Sequence, residues 1–394
     1  MNPIQVTLKS GKEQSLQRFH PWIFSGAIKH IDGHPNDGDV VEVVDSRGNF
    51  LALGHYQPGS IMVRVISFEN REVNRDFWRL KLEGALNLRK SLGLFPNPKT
   101  NIFRLVHGEG DGLPGLIIDI YGSTAVVQVH SAGMGLMKNL LAELVVDLMG
   151  GAVKAVFDKS SGTLSPKSQS HSEDGYLVGG PIEEELLENG NKFLVSWEEG
   201  QKTGFFIDQR DNRMLLANYC KDADVLNAFC YTGGFSVFAA RGGAKSVASV
   251  DSSQKAMDLT TSNMAINFGE KVQYNSVCAD VFDFLRDNSS TYDVIVLDPP
   301  AFAKHRAALN NALQAYKRLN AAAFRKLNPG GVLFTFSCSQ VVSRDQFRNA
   351  VFSGSIIAER QVRILHQLTQ PADHPINIYH PEGEYLKGLA LFAE

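Results

Sequence analysis

The chain has 394 residues, of which 43% are hydrophobic and 21% charged, enough apolar material for two or three globular domains rather than one core. Its 24 Phe, 10 Tyr and 3 Trp exclude a disordered chain, and 35 Gly with 15 Pro are too dispersed for a fibrous one. Lys plus Arg number 39 against 42 Asp plus Glu, so the net charge of −3 speaks at first against a nucleic-acid binder. The start, Met1 to Phe19, lacks the apolar core of a signal peptide, and no window is long and apolar enough for a membrane span. A cytoplasmic protein is expected.

Residues 1 to about 70 carry short β-type runs, Val40–Val44, Phe50–Gly54 and Ile61–Ile66, which predict a small β-domain. From Asp76 to Leu92, Phe77, Leu80, Leu82, Ala85, Leu86 and Leu88 recur at near-helical spacing. Strands at 115–119 and 124–129, a helix from Met137 to Leu148 and a strand at 153–157 follow, and residues 160–180 read as an exposed loop. From about residue 200 strands and helices alternate. Strands are expected at 224–229, 246–251, 272–274, 294–297 and 332–336, with helices at 235–241, 253–267, 281–287 and 309–327 between them. That alternation predicts a doubly wound, mostly parallel α/β sheet, in which ligands sit at the carboxyl ends of the strands.

Those strand ends carry the candidate chemistry. The first runs through Asn227, Phe229, Tyr231, Thr232, Gly233 and Gly234, a glycine pair that lets a ligand approach the backbone before a helix begins. The spacing is not that of a dinucleotide fingerprint, so a smaller nucleoside is the better fit. Asp251, with Ser252 after it, ends the second strand, where a carboxylate can accept both ribose hydroxyls. Asp280 follows the third strand as an acceptor for an adenine amino group. Asp251 and Asp280 also suit plainer roles as a helix cap and a solvated loop residue. After the fourth strand, Asp298-Pro299-Pro300 fixes an extended, rigid clamp suited to a flat base.

The four cysteines, Cys220, Cys230, Cys278 and Cys338, form no CxxC pair and have no histidine at metal spacing, so neither a disulfide framework nor a metal site is expected. Cys338 lies in the polar run Ser337-Cys338-Ser339 just after an apolar strand. Cys220 is expected in a helix, Cys230 in the glycine turn and Cys278 near the third strand's end, all three structural.

Gly233-Gly234, Asp251, Asp280 and Asp298-Pro299-Pro300 together resemble the motif series of class I S-adenosylmethionine-dependent methyltransferases. More narrowly, the whole chain resembles bacterial 23S rRNA cytosine-5 methyltransferases of the RlmI type, in which a PUA domain and a small central domain precede the catalytic one. Its most specific matches are His20 to Gly26, Arg104 to Gly115, Gln201 to Arg210 and Phe336 to Ser339. The resemblance implies a PUA-like RNA-binding domain over residues 1–72, a central α+β domain over 73–190 and a catalytic domain over 191–394. It implies S-adenosylmethionine as cofactor, no metal, and ribosomal RNA as partner. Lys202, Phe205, Phe206, Asp208 and Arg210 are then expected to close over the cofactor, a Lys and an Arg neutralising its carboxylate and a Phe stacking on it. Lys304 is a candidate phosphate contact, and Arg64, Arg71, Arg75 and Arg79 lie just beyond the β-domain.

Methylation at C5 of cytosine needs a thiolate, because adding sulfur at C6 turns C5 into a nucleophilic enamine carbon. Cys338 is the expected nucleophile and Asp298 the group that holds the base. Pro300 is followed by Ala301-Phe302, so the second cysteine that some RNA cytosine-5 methyltransferases carry there is absent. The base that removes the C5 proton is left among Asp373, His374, Glu382 and Glu384, with Glu382 or Asp373 preferred. A guanine N-methyltransferase, and a non-enzymatic RNA-binding assembly factor on a methyltransferase scaffold, are the competing readings. The oligomeric state, a homodimer included, stays open.

Split along these boundaries, residues 1–106 carry +4, residues 107–200 carry −9 and residues 201–394 carry +2. The acidity belongs to the central segment, and the two expected RNA-facing domains are mildly basic.

Overall fold

The computed structural model describes residues 4–164 and 173–394. It forms two compact units: residues 1–187, 195–207 and 372–383 make the first, and residues 188–194, 208–371 and 384–394 the second.

The first unit begins with a six-stranded sheet. Strands β1 (Ile4–Leu8), β2 (Trp22–Phe24), β3 (Ile28–Ile31), β4 (Val40–Val44), β5 (Phe50–Tyr56) and β6 (Ile61–Ser67) lie in the order β2-β6-β5-β4-β1-β3, with a short helix α1 (Gln14–Gln17) after β1. All pairings are antiparallel except β1 with β4. Val6, Leu8, Val41, Val43, Ala52, Val63 and Val65 face one core, and alternation along β4 turns Val41 and Val43 inward. Leu53 and Ile66 join a second core with Phe77, Trp78, Leu82 and Leu86 of α2 (Arg75–Ser91). This helix starts where Asn74 accepts the Phe77 N–H at 3.0 Å.

Strands β7 (Ile102–His107), β8 (Leu116–Tyr121), β9 (Thr124–Val129), β10 (Ala155–Asp158) and β11 (Gly175–Val178) form a sheet in the order β11-β10-β9-β8-β7, with α3 (Ala132–Leu148) packed on it. Two expectations change here. The helix begins five residues before Met137, and the stretch expected as an exposed loop over 160–180 holds a strand, β11, antiparallel to β10. Ser160 in that stretch is buried, donating to Asp158 and accepting from the Val129 N–H, while 165–172 lie outside the described residues.

Asp373 and His374, from 372–383, are also buried in this unit. Asp373 accepts the Arg104 N–H at 3.0 Å and the His374 ring nitrogen lies at 3.0 Å, while Arg89 pairs with Asp111 and reaches the Asp373 carbonyl at 2.7 Å.

A hairpin of β12 (Leu186–Glu188) and β13 (Asn191–Phe193) leads on to α4 (Arg210–Ala217). The second unit is built on seven strands: β14 (Asp224–Ala228), β15 (Ser246–Asp251), β16 (Gln273–Cys278), β17 (Tyr292–Leu297), β18 (Leu327–Ser337), β19 (Val362–Leu368) and β20 (Lys387–Ala393), in the order β16-β15-β14-β17-β18-β20-β19. The first five pair in parallel, and β20 pairs antiparallel with both β18 and β19. Helices α5 (Gly234–Arg241), α6 (Gln254–Phe268), α7 (Val281–Asp287), α8 (Leu309–Lys326) and α9 (Arg344–Ile357) complete the layers. Val225, Leu226, Ile295, Leu297 and Leu333 are buried because a parallel sheet is covered on both faces, which is why these strands are continuous apolar runs. The expected doubly wound sheet is present. Cys220, expected in a helix, lies three residues past the end of α4, where its thiol donates to the Leu216 carbonyl at 3.2 Å.

Candidate active site

The order β15-β14-β17 reverses the direction of winding beside β14, and the carboxyl ends of these strands frame a crevice of the kind that binds nucleotides. The turn after β14 is held in unusual backbone geometry. Phe229, Tyr231 and Gly233 have φ of 60°, 47° and 78°, and two of the three are not glycine. Such a turn persists only when its surroundings hold it. Asp251 Oδ2 accepts the Tyr231 N–H at 3.0 Å, Thr260 Oγ1 donates to the Tyr231 carbonyl at 2.7 Å, and Asn263 Nδ2 donates to the Thr232 carbonyl at 2.9 Å. A Cβ on Gly233 would stand 2.5 Å from the Thr260 methyl, so a side chain is excluded there for two separate reasons.

Asn227 is buried near the end of β14, its Nδ2 donating to Ser236 Oγ at 2.8 Å. Its Oδ1 is buried with no hydrogen-bond partner, an acceptor that a ligand N–H or O–H can satisfy. The side-chain-free turn and this acceptor fit a nucleoside cofactor.

Asp251 also accepts the Ser253 N–H through Oδ1 at 3.0 Å, and Ser253 caps α6. Each oxygen keeps a second lone pair. Ser252 is exposed beside it. Asp280 is exposed and caps α7, accepting the Phe282 and Asp283 N–H groups through Oδ1. Asp298 is half-buried one residue past β17, with Pro299 buried after it, and Asp208 accepts the Tyr385 hydroxyl at 2.7 Å. Arg210 is buried at the first position of α4, with Asp211 at 3.4 Å.

Lys202, Phe205 and Phe206 belong to the first unit. Lys202 is exposed with its ammonium 4.6 Å from the Phe206 ring centre, whereas Phe205 is buried at 3% exposure. Between them Thr203 donates to Asp119 at 2.6 Å and lies 3.0 Å from the Tyr121 hydroxyl.

Cys338 follows β18 by one residue, as Asp298 follows the neighbouring parallel strand β17. It is half-exposed, while Cys220 and Cys230 are buried and burial pushes both thiols up to about 12. Cys278, expected to be a structural thiol, is instead exposed at the end of β16.

Sequence reasoning missed the residues that support the site. Thr260 and Asn263 sit at helical spacing on α6 and look like ordinary polar positions. Arg213 and Glu188 form a buried ion pair at 2.7 Å, and Arg213 packs 3.0 Å from where a Cβ on Gly234 would stand. Lys387 begins the apolar strand β20, and a lone lysine before Gly388-Leu389-Ala390-Leu391 was the one visible signal.

Residues 103–370 match the model of an S-adenosylmethionine-dependent methyltransferase family, and residues 6–68 match that of a PUA-like domain. The chain belongs to the S-adenosylmethionine-dependent methyltransferases. Among the relatives of this methyltransferase, a protein from Alteromonas mediterranea is 41% identical over 98% of both chains, and one from Aeromonas hydrophila is 41% identical over 98% of this chain and 99% of its own. Both are named ribosomal RNA large subunit methyltransferase I. Two solved structures share the fold over the full length of both chains. One, a candidate methyltransferase from Streptococcus mutans, has a TM-score of 0.83 at 23% identity; the other, complexed with S-adenosylhomocysteine, has 0.84 at 24%. The methyl donor of this methyltransferase is S-adenosylmethionine, and the N-terminal sheet is its PUA-like domain.

Proposed function

We propose that the protein methylates C5 of a cytosine in large-subunit ribosomal RNA through a Cys338 thiolate. The observation that carries this reading is the placement of Cys338: a half-exposed thiol one residue beyond a central strand, next to the strand that ends in Asp298-Pro299. Buried thiols are poor nucleophiles because the apolar surroundings disfavour the thiolate, which sets Cys220 and Cys230 aside. The names of the relatives at about 40% identity support ribosomal RNA as substrate.

Bound S-adenosylmethionine supplies an electrophilic methyl group. Asn227, Phe229, Tyr231, Thr232, Gly233 and Gly234 form its cradle, Asp251 with Ser252 takes the ribose hydroxyls, and Asp280 takes the adenine amino group. Lys202, Phe205, Phe206, Asp208 and Arg210 belong to the segment that closes over it, and Pro299 fixes the clamp.

The target base must leave its stack to reach the site. Asp298 then accepts from the cytosine amino group and orients the ring. Cys338 Sγ adds to C6 and pushes electron density to C5, which would take the methyl group as its bond to the donor's sulfonium sulfur breaks and S-adenosylhomocysteine leaves. A base removes the C5 proton, and the returning electron pair expels the thiolate. Of the candidates for that base, Asp373 and His374 are buried and tied to Arg104 and Arg89, and Glu382 faces His20 and His380 at 3.6 and 3.7 Å, all in the first unit. Glu384 shares the unit of Cys338, where it pairs with Arg344. The base is left among these four.

The PUA-like domain, proposed as residues 1–72 ahead of a central domain (73–190) and the catalytic domain (191–394), supplies RNA contacts, with Lys304, exposed after the Pro pair, touching phosphate. No described helix is long and apolar enough to cross a membrane, and no group of three or more His, Cys, Asp or Glu among the described residues could hold a metal. A cytoplasmic enzyme that needs no metal is proposed.

The test is Cys338→Ala, assayed for methyl transfer to ribosomal RNA and for S-adenosylhomocysteine binding. Transfer should vanish with binding intact. A variant that still methylates, or a product that is a methylated guanine, contradicts the reading.

A further inference from the structure

A buried lysine is left unused by the proposed chemistry. Lys387 opens β20 and pairs in register with Ser337, the residue before Cys338. It is 5% exposed, yet no carboxylate forms an ion pair with it among the described residues. Its ammonium donates to the Ser339 and Val342 carbonyls, both at 2.7 Å, so it grips the chain on the far side of Cys338 as well. Two of three ammonium donors are thereby used.

A buried ammonium with only neutral carbonyl partners is costly. Burial lowers the Lys387 value to about 8, and a negative Cys338 pulls it back up. Glu384 and Arg344 act on Lys387 with opposite signs and are joined to each other. From α8, Tyr316 places its hydroxyl 3.2 Å from Ser339 Oγ, and burial together with Cys338 keeps that phenol neutral. Asp298 ends the adjacent strand. Lys387 is a cation that bears on the thiol.

We propose that Lys387 is the positioning residue for Cys338, its backbone pairing with Ser337 before the thiol and its ammonium holding the Ser339 and Val342 carbonyls after it, and that it supplies positive charge that stabilises the thiolate. The proposal rests on the nucleophilic role given to Cys338 above and names what makes that thiol reactive. A free thiol with a value near 8.5 is only a few per cent ionised at neutral pH, and a neighbouring cation raises that fraction about tenfold for each unit it lowers the value.

The test reads the thiol itself. The full-length protein is treated with iodoacetamide across pH 6 to 10, and alkylation of the Cys338 peptide is followed by mass spectrometry, with the exposed Cys278 as internal reference. In the unaltered protein Cys338 should react with a midpoint below that of Cys278. Lys387→Met should move the Cys338 midpoint up by about one pH unit and slow its alkylation at pH 7 about tenfold, while Lys387→Arg, which keeps the charge, should stay near the starting value. In methyl transfer, Lys387→Met should lower kcat with KM for RNA unchanged and recover as pH rises. S-adenosylhomocysteine binding checks the fold of each variant.

A Cys338 midpoint at or above that of Cys278 in the unaltered protein overturns the proposal, with no variant needed. So does an unchanged midpoint in a Lys387→Met protein that binds S-adenosylhomocysteine normally. Methyl transfer by Cys338→Ala would remove the nucleophile instead, a result distinct from either.

Discussion

The Asp251 carboxylate accepts the Tyr231 backbone N–H at 3.0 Å, so the residue that ends β15 also holds the turn that follows β14. On the proposed reading, one side chain both shapes the cofactor cradle and accepts from the ribose. Asp251→Ala should weaken S-adenosylhomocysteine binding by about 1.5–3 kcal/mol, the range for hydrogen bonds to charged groups, which is roughly ten- to a hundredfold. Calorimetric titration measures it, and an affinity within twofold of the unaltered protein would contradict the assignment.

Gly233 combines a φ of 78° with a Cβ position 2.5 Å from the Thr260 methyl. Gly233→Ala should cost about 1–3 kcal/mol of stability or cofactor affinity. Adding Thr260→Ser removes the clashing methyl and leaves the backbone strain, so the double variant should recover part of the loss and not all of it. Thermal melts with and without S-adenosylhomocysteine separate the two contributions.

Much of the second unit was readable because its central strands carry buried apolar runs, as at Val294 to Leu297, followed by a polar turn. The two antiparallel strands that complete the sheet were not. In β19, Arg363, His366 and Gln367 interrupt the pattern at an edge, and β20 carries Lys387 and Gly388 because their neighbours across the sheet demand them: a Cβ on Gly388 would stand 2.4 Å from the Phe336 ring. Nor could the sequence place 372–383. Asp373 meets Arg104 across 269 positions of chain, and nothing local marks such a contact. The polar turns at the strand ends were legible; the side chains of α6 that hold the turn after β14 were not.

Arg213 and Glu188 form two hydrogen bonds of 2.7 Å with both side chains buried. Removing one partner leaves the other charge uncompensated, so Arg213→Met should destabilise the protein by about 3–5 kcal/mol. Urea unfolding followed by circular dichroism gives the number. A loss under 1 kcal/mol would mean the pair contributes nothing beyond its volume.

His55 is buried in β5 and stacks on Trp78 at 5.6 Å, and burial lowers its value to about 4. The folded form keeps the ring neutral while the unfolded chain binds a proton below about 6.5, so the unfolded state takes up more protons between those values. Stability should be unaffected by this group above pH 6.5 and fall by up to about 3 kcal/mol on going down to pH 4. Comparing urea midpoints of the unaltered protein and His55→Phe across that window isolates the contribution. A parallel pH dependence in the two proteins would contradict it.

The proposed reaction is methylation of C5 of a cytosine in large-subunit ribosomal RNA, with Cys338 as the nucleophile that adds to C6. Bisulfite mapping of that RNA tests it most directly, in cells that rely on the unaltered gene or on Cys338→Ala. One protected cytosine should be present with the first and lost with the second. Protection that persists with Cys338→Ala, or an identical cytosine pattern in cells lacking the gene, would contradict the account.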